Sequence, residues 1–224
     1  MDIKEERVHI FMLTFNAPEV EIPCVESIIK NTQHPYILEL YDNRPQNDFF
    51  SILWNHLIKR SPCNYFCFLN SDTILPAGWL SKLMDIYAMV EGDPPSQTLI
   101  SGVGPVTNSA VSTQRGRKGP GEFKLHTDWR IAGFCFIISR RAFELVGPFD
   151  EEFQFYGQEE EWFYRAHKLY GLKAYFREDV FVYHKHGATI SQNPDFNKAQ
   201  RELGLEIFLK KKKEIDKLAQ QKGK

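Results

Sequence analysis

The sequence predicts an α/β fold built on a mostly parallel central sheet that is covered by helices. In the first half of the chain, apolar runs of strand length alternate three times with apolar residues at helical spacing. Each of these strands stops at a small polar cluster, as expected where parallel strands end at one edge of a sheet. The 224 residues, 42% of them hydrophobic, are enough for one large globular domain.

Three strand–helix pairs make up the first half of the predicted fold. The strands are expected at residues 8–13, 36–41 and 64–69. The clearest helix follows the second strand, because Phe50, Leu53, Trp54, Leu57 and Ile58 repeat at i, i+3, i+4, i+7 and i+8. Weaker helical patterns follow the first and third strands.

The second half is predicted to contain more strands, two helices and a final amphipathic helix. The strands are expected at residues 98–103, 131–138, 172–176 and 180–183. The two helices are expected at 140–146 and 158–170. The last helix carries four consecutive lysines at 210–213. This helix either packs on the body with a solvated lysine face or touches an anionic membrane surface.

A polar, basic and glycine-rich segment at residues 107–124 interrupts the second half. Such a segment is either a functional loop or partly disordered. Its basic residues could meet a phosphate, although a solvated loop is the default explanation. These residues are Arg115, Arg117, Lys118 and Lys124.

Charge and cysteine content narrow the class of protein. A formal net charge of −1 gives no general attraction to nucleic acid. The four cysteines show no CxxC spacing, which favours buried, reduced thiols. The charged start of the chain has no signal-peptide pattern, and no run approaches the roughly 20 apolar residues that span a bilayer. We therefore expect a cytoplasmic protein without a nucleic-acid partner.

Polar side chains follow each of the first three strands. Together they would gather at the edge of the sheet where open α/β proteins bind ligands, and there they could read a nucleotide. Ordinary turn chemistry is the alternative, because Asn, Asp and Ser are common in loops. The clusters are Thr14 and Asn16, Asp42 and Asn43, and Asn70-Ser71-Asp72.

Two blocks of sequence, taken in order, resemble the family 2 glycosyltransferases with the GT-A fold. The first is FLNSDT at 68–73 with PAGWL at 76–80, which looks like the DxD-type region of that family. The second block follows the order of the family's acceptor-side half. It runs through AGF at 132–134, VGPFDE at 146–151, YGQE at 156–159 and VYH at 182–184.

The resemblance runs from residue 8 to residue 189 and implies a domain organisation and an activity. It implies a GT-A domain at 1–190, with a nucleotide-binding half at 8–105 and an acceptor-side half at 125–190, followed by a helical extension at 191–224. The activity would be inverting transfer of a sugar from a nucleotide-sugar donor to the hydroxyl of a glycan or other acceptor. The lysine-rich helical extension could in addition contact a membrane surface peripherally.

A divalent cation is part of what the resemblance implies, because the leaving nucleoside diphosphate carries negative charge. Asp72 would supply a carboxylate oxygen to Mn²⁺ or Mg²⁺. His184 matches the histidine after the family's late strand and would be the second ligand. His186, two residues on, is the backup ligand, and a capping or core histidine is the alternative interpretation of His184.

The resemblance also implies a general base. The family places it at the second position of a Glu-Asp pair after Tyr-Gly, and here that pair reads Gln158-Glu159. Glu159 inherits the role, while the neutral Gln158 departs from the family pattern. Glu160 and Glu161 compete for the assignment. The alternative explanation for these acidic residues is structural, because negative charge is favoured at a helix N-terminus.

The donor-binding residues follow from the same resemblance. The nucleoside would lie among the ends of the first two strands, and the ribose and diphosphate beside the third. Gly133 would allow the backbone to approach the donor sugar closely. The implied donor contacts are Thr14, Asn16, Asp42, Asn43, Asn70, Ser71, Asp72 and Gly133.

Two alternatives to the transferase stay open. A non-catalytic protein that binds nucleotide-sugars or glycans is suggested by Gln158 and by Glu159 at the family's aspartate position. A sugar nucleotidylyltransferase has a related sheet, but it needs a glycine- and lysine-rich phosphate loop directly after the first strand. This chain has TFNAP there, at 14–18.

Overall fold

The computed structural model describes most of the chain. The described residues are 6–43, 48–92, 97–108, 114, 120–185 and 194–222. Within them lie eight strands and six helices. The strands are β1 Val8–Thr14, β2 Tyr36–Asp42, β3 Tyr65–Asn70, β4 Thr73–Ile74, β5 Gly102–Thr107, β6 Leu125–Asp128, β7 Cys135–Ser139 and β8 Ala174–His184. The helices are α1 Pro18–Asn31, α2 Phe50–Arg60, α3 Trp79–Val90, α4 Arg140–Val146, α5 Gln158–Tyr170 and α6 Pro194–Lys222.

The strands form a single mixed sheet in the order β2-β1-β3-β7-β5-β8-β4, with β6 paired to β8. Strands β2, β1 and β3 are parallel. Strand β7 is antiparallel to both β3 and β5, so β5 points the same way as β3, and β8 is parallel to β5. Five of the eight strands, β1, β2, β3, β5 and β8, therefore share one direction, which confirms the predicted mostly parallel sheet.

Helices cover both faces of this sheet and form two hydrophobic layers. Successive residues of β1 alternate between them, with Met12 in the layer of α1 and α3 and Phe11 in the layer of α2, α4 and α5. The second layer is dominated by aromatic contacts. The ring of Phe68 lies 4.7 Å from that of Trp54 and 4.8 Å from that of Phe136, centroid to centroid. Such pairs stabilise the core by about 0.5–1.5 kcal/mol beyond simple burial.

The second half of the sheet differs from the prediction in its strand boundaries. The strand expected at 98–103 is β5, which is displaced to Gly102–Thr107. All six of its residues are buried, so it has no alternating pattern by which the sequence could set its limits. The strands expected at 172–176 and 180–183 are one strand, β8, whose pairing with β5 shifts at Pro105/Val106. Strands β4 and β6 are too short to give a periodic signal.

Helix α6 packs along the body of the protein, and part of its lysine block is engaged there. The Lys211 ammonium lies 2.7 Å from an Asp150 oxygen and 2.6 Å from a Glu152 oxygen. Lys212 pairs with Asp216 at 2.7 Å. These contacts fit the packed arrangement, and membrane contact stays a prediction. Across the described residues, every helix falls short of the length or apolarity that crossing a membrane requires.

Candidate active site

The sheet gathers the predicted site residues at one edge. Strands β1, β2, β3 and β8 run in the same direction and end at Thr14, Asp42, Asn70 and His184. Strand β7 runs the other way, so its first residues and the preceding Gly133-Phe134 lie at this edge as well. This edge is where open α/β sheets bind ligands.

Asp72 and His184 meet at this edge although they are far apart in the sequence. The Asp72 Oδ1 atom lies 3.0 Å from His184 Nε2, with side-chain exposures of 5% and 9%. Backbone pairing enforces the contact, because Thr73 of β4 is opposite His184 of β8 and the Lys185 N–H donates to the Asp72 carbonyl at 2.9 Å. The short strand β4 therefore brings Asp72 to the end of β8.

His184 is held in place by two further residues. Its backbone N–H donates to Asn108 Oδ1 at 2.7 Å, and Asn108 Nδ2 donates back to the His184 carbonyl at 3.1 Å. The Phe134 ring stacks on the imidazole with centroids 5.3 Å apart and planes 22° apart. Sequence reasoning missed Asn108, although it is a polar residue directly after a strand, like the other candidates.

Asn70 and Ser71 connect the end of β3 to this pair. The Asn70 N–H donates to the Phe134 carbonyl at 2.9 Å, and its Nδ2 lies 3.4 Å from His184 Nε2. The Asn70 carbonyl accepts from the Thr73 hydroxyl at 2.8 Å. Ser71 is buried and Asn70 is partly exposed, so Asn70 presents the more accessible side chain of the two.

The donor atoms of Asp72 and His184 suit a divalent cation. Neighbouring ligands of an octahedral ion with bonds of about 2.1 Å lie about 3.0 Å apart, so both atoms could bind one ion from their present positions. A carboxylate oxygen and an imidazole nitrogen are ligands that Mn²⁺ accepts. Within the described part of the chain, no group of three or more His, Cys, Asp or Glu side chains is arranged so that it could hold a metal ion. The other ligands of such an ion would be water or phosphate oxygens. His186 lies outside the described residues.

Glu159 lies in the first turn of α5, with its carboxylate against Gly133. A Cβ on Gly133 would lie 2.6 Å from Glu159 Oε1 and 2.8 Å from its carboxyl carbon, so any side chain at this position would displace the carboxylate. The prediction placed Gly133 inside a strand and beside the donor sugar. It precedes β7 instead, and its close neighbour is Glu159. Contact with the donor sugar stays a prediction.

The three successive glutamates of α5 have different environments. Glu160 forms an ion pair with Arg130, and Arg165 holds both carboxylate oxygens of Glu161 at 2.8 and 3.0 Å. Glu159 has no ion pair among the described residues. Desolvation raises its pKa to about 7, with a further contribution from Glu160, while backbone N–H groups and Arg130 oppose the increase.

Gln158, the departure from the family pattern, is enclosed beside these glutamates. It is 3% exposed, and within the described part of the chain its Oε1 finds no hydrogen-bond partner. It therefore lies at the start of α5 as a buried, neutral amide.

The ends of β1 and β2 supply the remaining predicted donor contacts. The Thr14 hydroxyl donates to the Tyr41 carbonyl at 3.3 Å. Asn16 is exposed and has a φ of 60°, a left-handed conformation that Asn tolerates better than most residues. Asp42 is exposed at the end of β2. All three lie where a nucleoside could reach them.

Asn43 has a structural position that departs from the prediction. Its side chain is fully buried, donates to the Asp48 carbonyl at 2.9 Å and accepts from the Asp48 N–H at 3.0 Å. Both ends of the amide are therefore used in bracing the segment that follows β2. This bracing shapes the end of β2, whereas contact with a nucleoside would need an accessible side chain.

Gln114 is a second residue that sequence reasoning missed. It is fully buried, donates to the Pro105 carbonyl at 2.7 Å and accepts from the Ala132 N–H, next to Gly133. It thereby ties the glycine-rich segment to the edge of the site. Of the basic residues predicted in that segment, Lys124 is exposed, and Arg115, Arg117 and Lys118 lie outside the described residues.

Solved glycosyltransferase structures share this fold. One is GalNAc-T7, crystallised with UDP, GalNAc and Mn²⁺, at a TM-score of 0.60 and 12% identity over 80% of this chain and 43% of that one. Another is S. aureus TarS 1–349, at a TM-score of 0.56 and 9% identity over 83% of this chain and 62% of that one. The chain thus spans less than two thirds of either neighbour.

Sequence comparisons give no match of this kind. No protein-family model matches the sequence, and no curated protein sequence matches it either. At the identities found, the structural likeness establishes the fold, and the fold is that of the GT-A glycosyltransferases.

Proposed function

We propose that this protein is a metal-dependent, inverting glycosyltransferase that moves a sugar from a nucleotide-sugar to an acceptor hydroxyl. One observation carries the proposal, namely that a continuous series of contacts joins the candidate metal ligands to the candidate base. Asp72 contacts His184, His184 stacks on Phe134, and the adjacent Gly133 lies against Glu159. Residues from four distant parts of the chain thus converge on one edge of the sheet.

Asp72 and His184 hold the divalent cation in this proposal. When bound, Mn²⁺ or Mg²⁺ would neutralise negative charge on the leaving nucleoside diphosphate. The GalNAc-T7 structure with UDP, GalNAc and Mn²⁺ supports this choice of group. Asn70 and Ser71 would contact the ribose and diphosphate, and Thr14, Asn16 and Asp42 the nucleoside.

Glu159 acts as the general base. The acceptor oxygen forms a bond to the anomeric carbon as the bond from that carbon to the diphosphate oxygen breaks, and the acceptor proton passes to the Glu159 carboxylate. A base with a pKa of about 7 is well matched to this step near neutral pH. Glu160 and Glu161 are paired with arginines, so neither is as available to accept a proton.

Nucleotide binding tests the metal part of the proposal directly. We expect calorimetric titration with uridine, guanosine, thymidine and cytidine diphosphates to detect binding of one nucleotide that requires Mn²⁺. Asp72→Ala should weaken that binding at least about tenfold. Asp85→Ala, which removes a carboxylate from α3 and is the control, should leave the binding unchanged. Unchanged affinity in Asp72→Ala, or no binding of any nucleotide to the wild type, would overturn the proposal.

A non-catalytic nucleotide-sugar-binding protein is the second candidate, and the buried neutral Gln158 favours it. In this protein the donor would bind as proposed, without a chemical step. Incubation with Mn²⁺ and a panel of nucleotide-sugars distinguishes the two functions. Slow donor hydrolysis that Glu159→Gln abolishes indicates the enzyme, and binding without turnover, even with acceptor extracts, indicates the binding protein.

A further inference from the structure

The segment that leads into α5 determines where Glu159 lies. Residues 150–157 form the last part of the connection from α4 to α5 and end at Gly157, which has a φ of 93° and precedes the first helical residue. Glu159 is two residues further on. Any movement of the Tyr156-Gly157 turn would therefore move the first turn of α5 and the carboxylate that it carries.

Side chains of α6 hold this segment along its length. The rings of Phe155 and Phe196 make an edge contact, with centroids 5.8 Å apart. The Tyr156 hydroxyl donates to Asn197 Oδ1 at 3.3 Å, and the Arg201 guanidinium lies 5.3 Å from the centre of the Tyr156 ring. Three residues from the first two turns of α6 thus contact two adjacent residues of the segment.

The closest approach is made by the backbone at Gly204. A Cβ on Gly204 would lie 2.4 Å from the Tyr156 carbonyl oxygen and 3.0 Å from its carbonyl carbon. A Cβ on Gly157 would in turn lie 3.3 Å from the Gly204 carbonyl oxygen. Glycine is unfavourable in a helix interior, so its place within α6 has a packing reason. The two backbones can meet this closely only because residue 204 lacks a side chain.

The other end of this arrangement is equally tight. Glu159 fits against Gly133 at a distance that excludes even a methyl group. At the start of the segment, the ion pairs of Lys211 with Asp150 and Glu152 fasten α6 a second time. The loop before α5 is therefore held on one side by α6. On the other side, the first turn of α5 places the Glu159 carboxylate against Gly133, just before β7.

We propose that α6 is a positioning element of the active site and that Gly204 is its positioning residue. Through the Tyr156-Gly157 turn, Gly204 holds the Glu159 carboxylate against Gly133. This rests on the proposed function, in which Glu159 is the base. A helix that only added global stability would leave the environment of Glu159 unchanged when its contact with Tyr156 is altered.

The carboxyl group of Glu159 can report on its own position. In full-length protein labelled with ¹³C-glutamate, its NMR titration is assigned by comparison with Glu159→Gln. The charged groups facing it, Arg130 and Glu160, are kept in all variants. We expect Gly204→Ala to release the carboxylate towards solvent and to lower its pKa by about one pH unit or more, towards the ordinary 4.5. Leu205→Ala, at a neighbouring position that is 58% exposed, should leave the titration unchanged.

Two further measurements keep the result decisive. If circular dichroism shows that Gly204→Ala does not fold, Arg201→Ala tests a second contact of α6 with Tyr156, through its ring, and should shift the titration in the same direction. A folded variant with an unchanged Glu159 titration overturns the positioning role. Binding of the nucleoside diphosphates with Mn²⁺ should be equal in the wild type and Gly204→Ala. If the wild type binds none of these nucleotides, the proposed function is contradicted. The titration of Glu159 then still decides separately whether α6 positions this side chain.

Discussion

The two halves of the sheet place their site residues in different ways. In the half built from β1, β2 and β3, each candidate lies at the end of a parallel strand or within two residues of it, so the strand ends bring it to the edge of the sheet. In the other half, Glu159 and His184 are positioned by contacts with remote segments. Donor binding should therefore tolerate changes around Glu159, whereas changes around His184 should weaken it, because His184 is proposed to hold the ion together with Asp72.

The largest expected effect comes from removing the base. Glu159→Gln should reduce sugar transfer or donor hydrolysis about 10²–10⁴-fold, because proton transfer to a positioned base contributes that much. Binding of nucleoside diphosphate with Mn²⁺ should stay within about twofold of wild type, because the change is nearly isosteric and keeps the proposed metal ligands and nucleotide contacts. Glu160→Gln is the matched control, and a comparable loss of turnover in that variant would assign the base to Glu160.

A smaller effect is expected when the base is displaced and kept. Gly133→Ala introduces a Cβ 2.6 Å from Glu159 Oε1, so the carboxylate must move. A displacement of about 1 Å can cost about 10²-fold in rate. We would measure turnover, which should fall, and Mn²⁺-dependent nucleotide binding, which should stay unchanged. Gly171→Ala, at a φ of 68° with no atom near its Cβ, controls for the general strain of replacing glycine. A fully active Gly133→Ala would contradict the proposal that the fit of Glu159 against Gly133 sets the position of the base.

The raised pKa of Glu159 also predicts a pH-dependent cost in stability. Its pKa is about 7 in the fold against 4.5 ordinarily, so the folded state binds the proton more tightly than the unfolded state. The contribution of the Glu159 carboxyl to the free energy of unfolding is fully present below about pH 4.5, falls as pH rises and is lost above about pH 7. At pH 8, Glu159→Gln should therefore unfold with a free energy about 1–3 kcal/mol higher than wild type.

Urea unfolding at pH 8 and at pH 4.5 checks this prediction. The gain in Glu159→Gln should be present at the higher pH and should shrink at the lower pH, where the wild-type carboxyl is protonated as well. Glu144→Gln, a change of an exposed residue of α4, serves as the control. A variant that is equally stable or less stable than wild type at pH 8 would show that Glu159 is solvated in the fold.

The smallest expected effect concerns Asn108, which holds His184 through two hydrogen bonds. Asn108→Ala removes both and should lower the free energy of unfolding by about 1–2 kcal/mol. It should also weaken Mn²⁺-dependent nucleotide binding less than Asp72→Ala does, because Asn108 acts on the backbone of a ligand. Asn64→Ala, which loses exposed hydrogen bonds to Glu6, is the control. Unchanged nucleotide binding in Asn108→Ala would leave it a purely structural residue.

The same contrast explains what the sequence could predict. Apolar periodicity is local, so the strand–helix pairs of the first half and the polar ends of their strands are readable without a structure. The reciprocal bonds of Asn108 with His184, the tie from Gln114 to Ala132 and the fit of Glu159 against Gly133 join distant segments, and no local pattern encodes them. Asn43 shows the converse, because an ordinary polar pattern at a strand end concealed a bracing role.

The central claim is that Asp72 and His184 share one divalent ion that also binds the donor diphosphate. A crystal structure with Mn²⁺ and the nucleoside diphosphate selected by titration tests it most directly, because Mn²⁺ can be located by its anomalous scattering. We predict one anomalous peak bonded to Asp72 Oδ1, His184 Nε2 and a phosphate oxygen, with Glu159 facing the same cleft. A diphosphate bound at this edge with the ion elsewhere, or with His184 turned away from it, would contradict the claim.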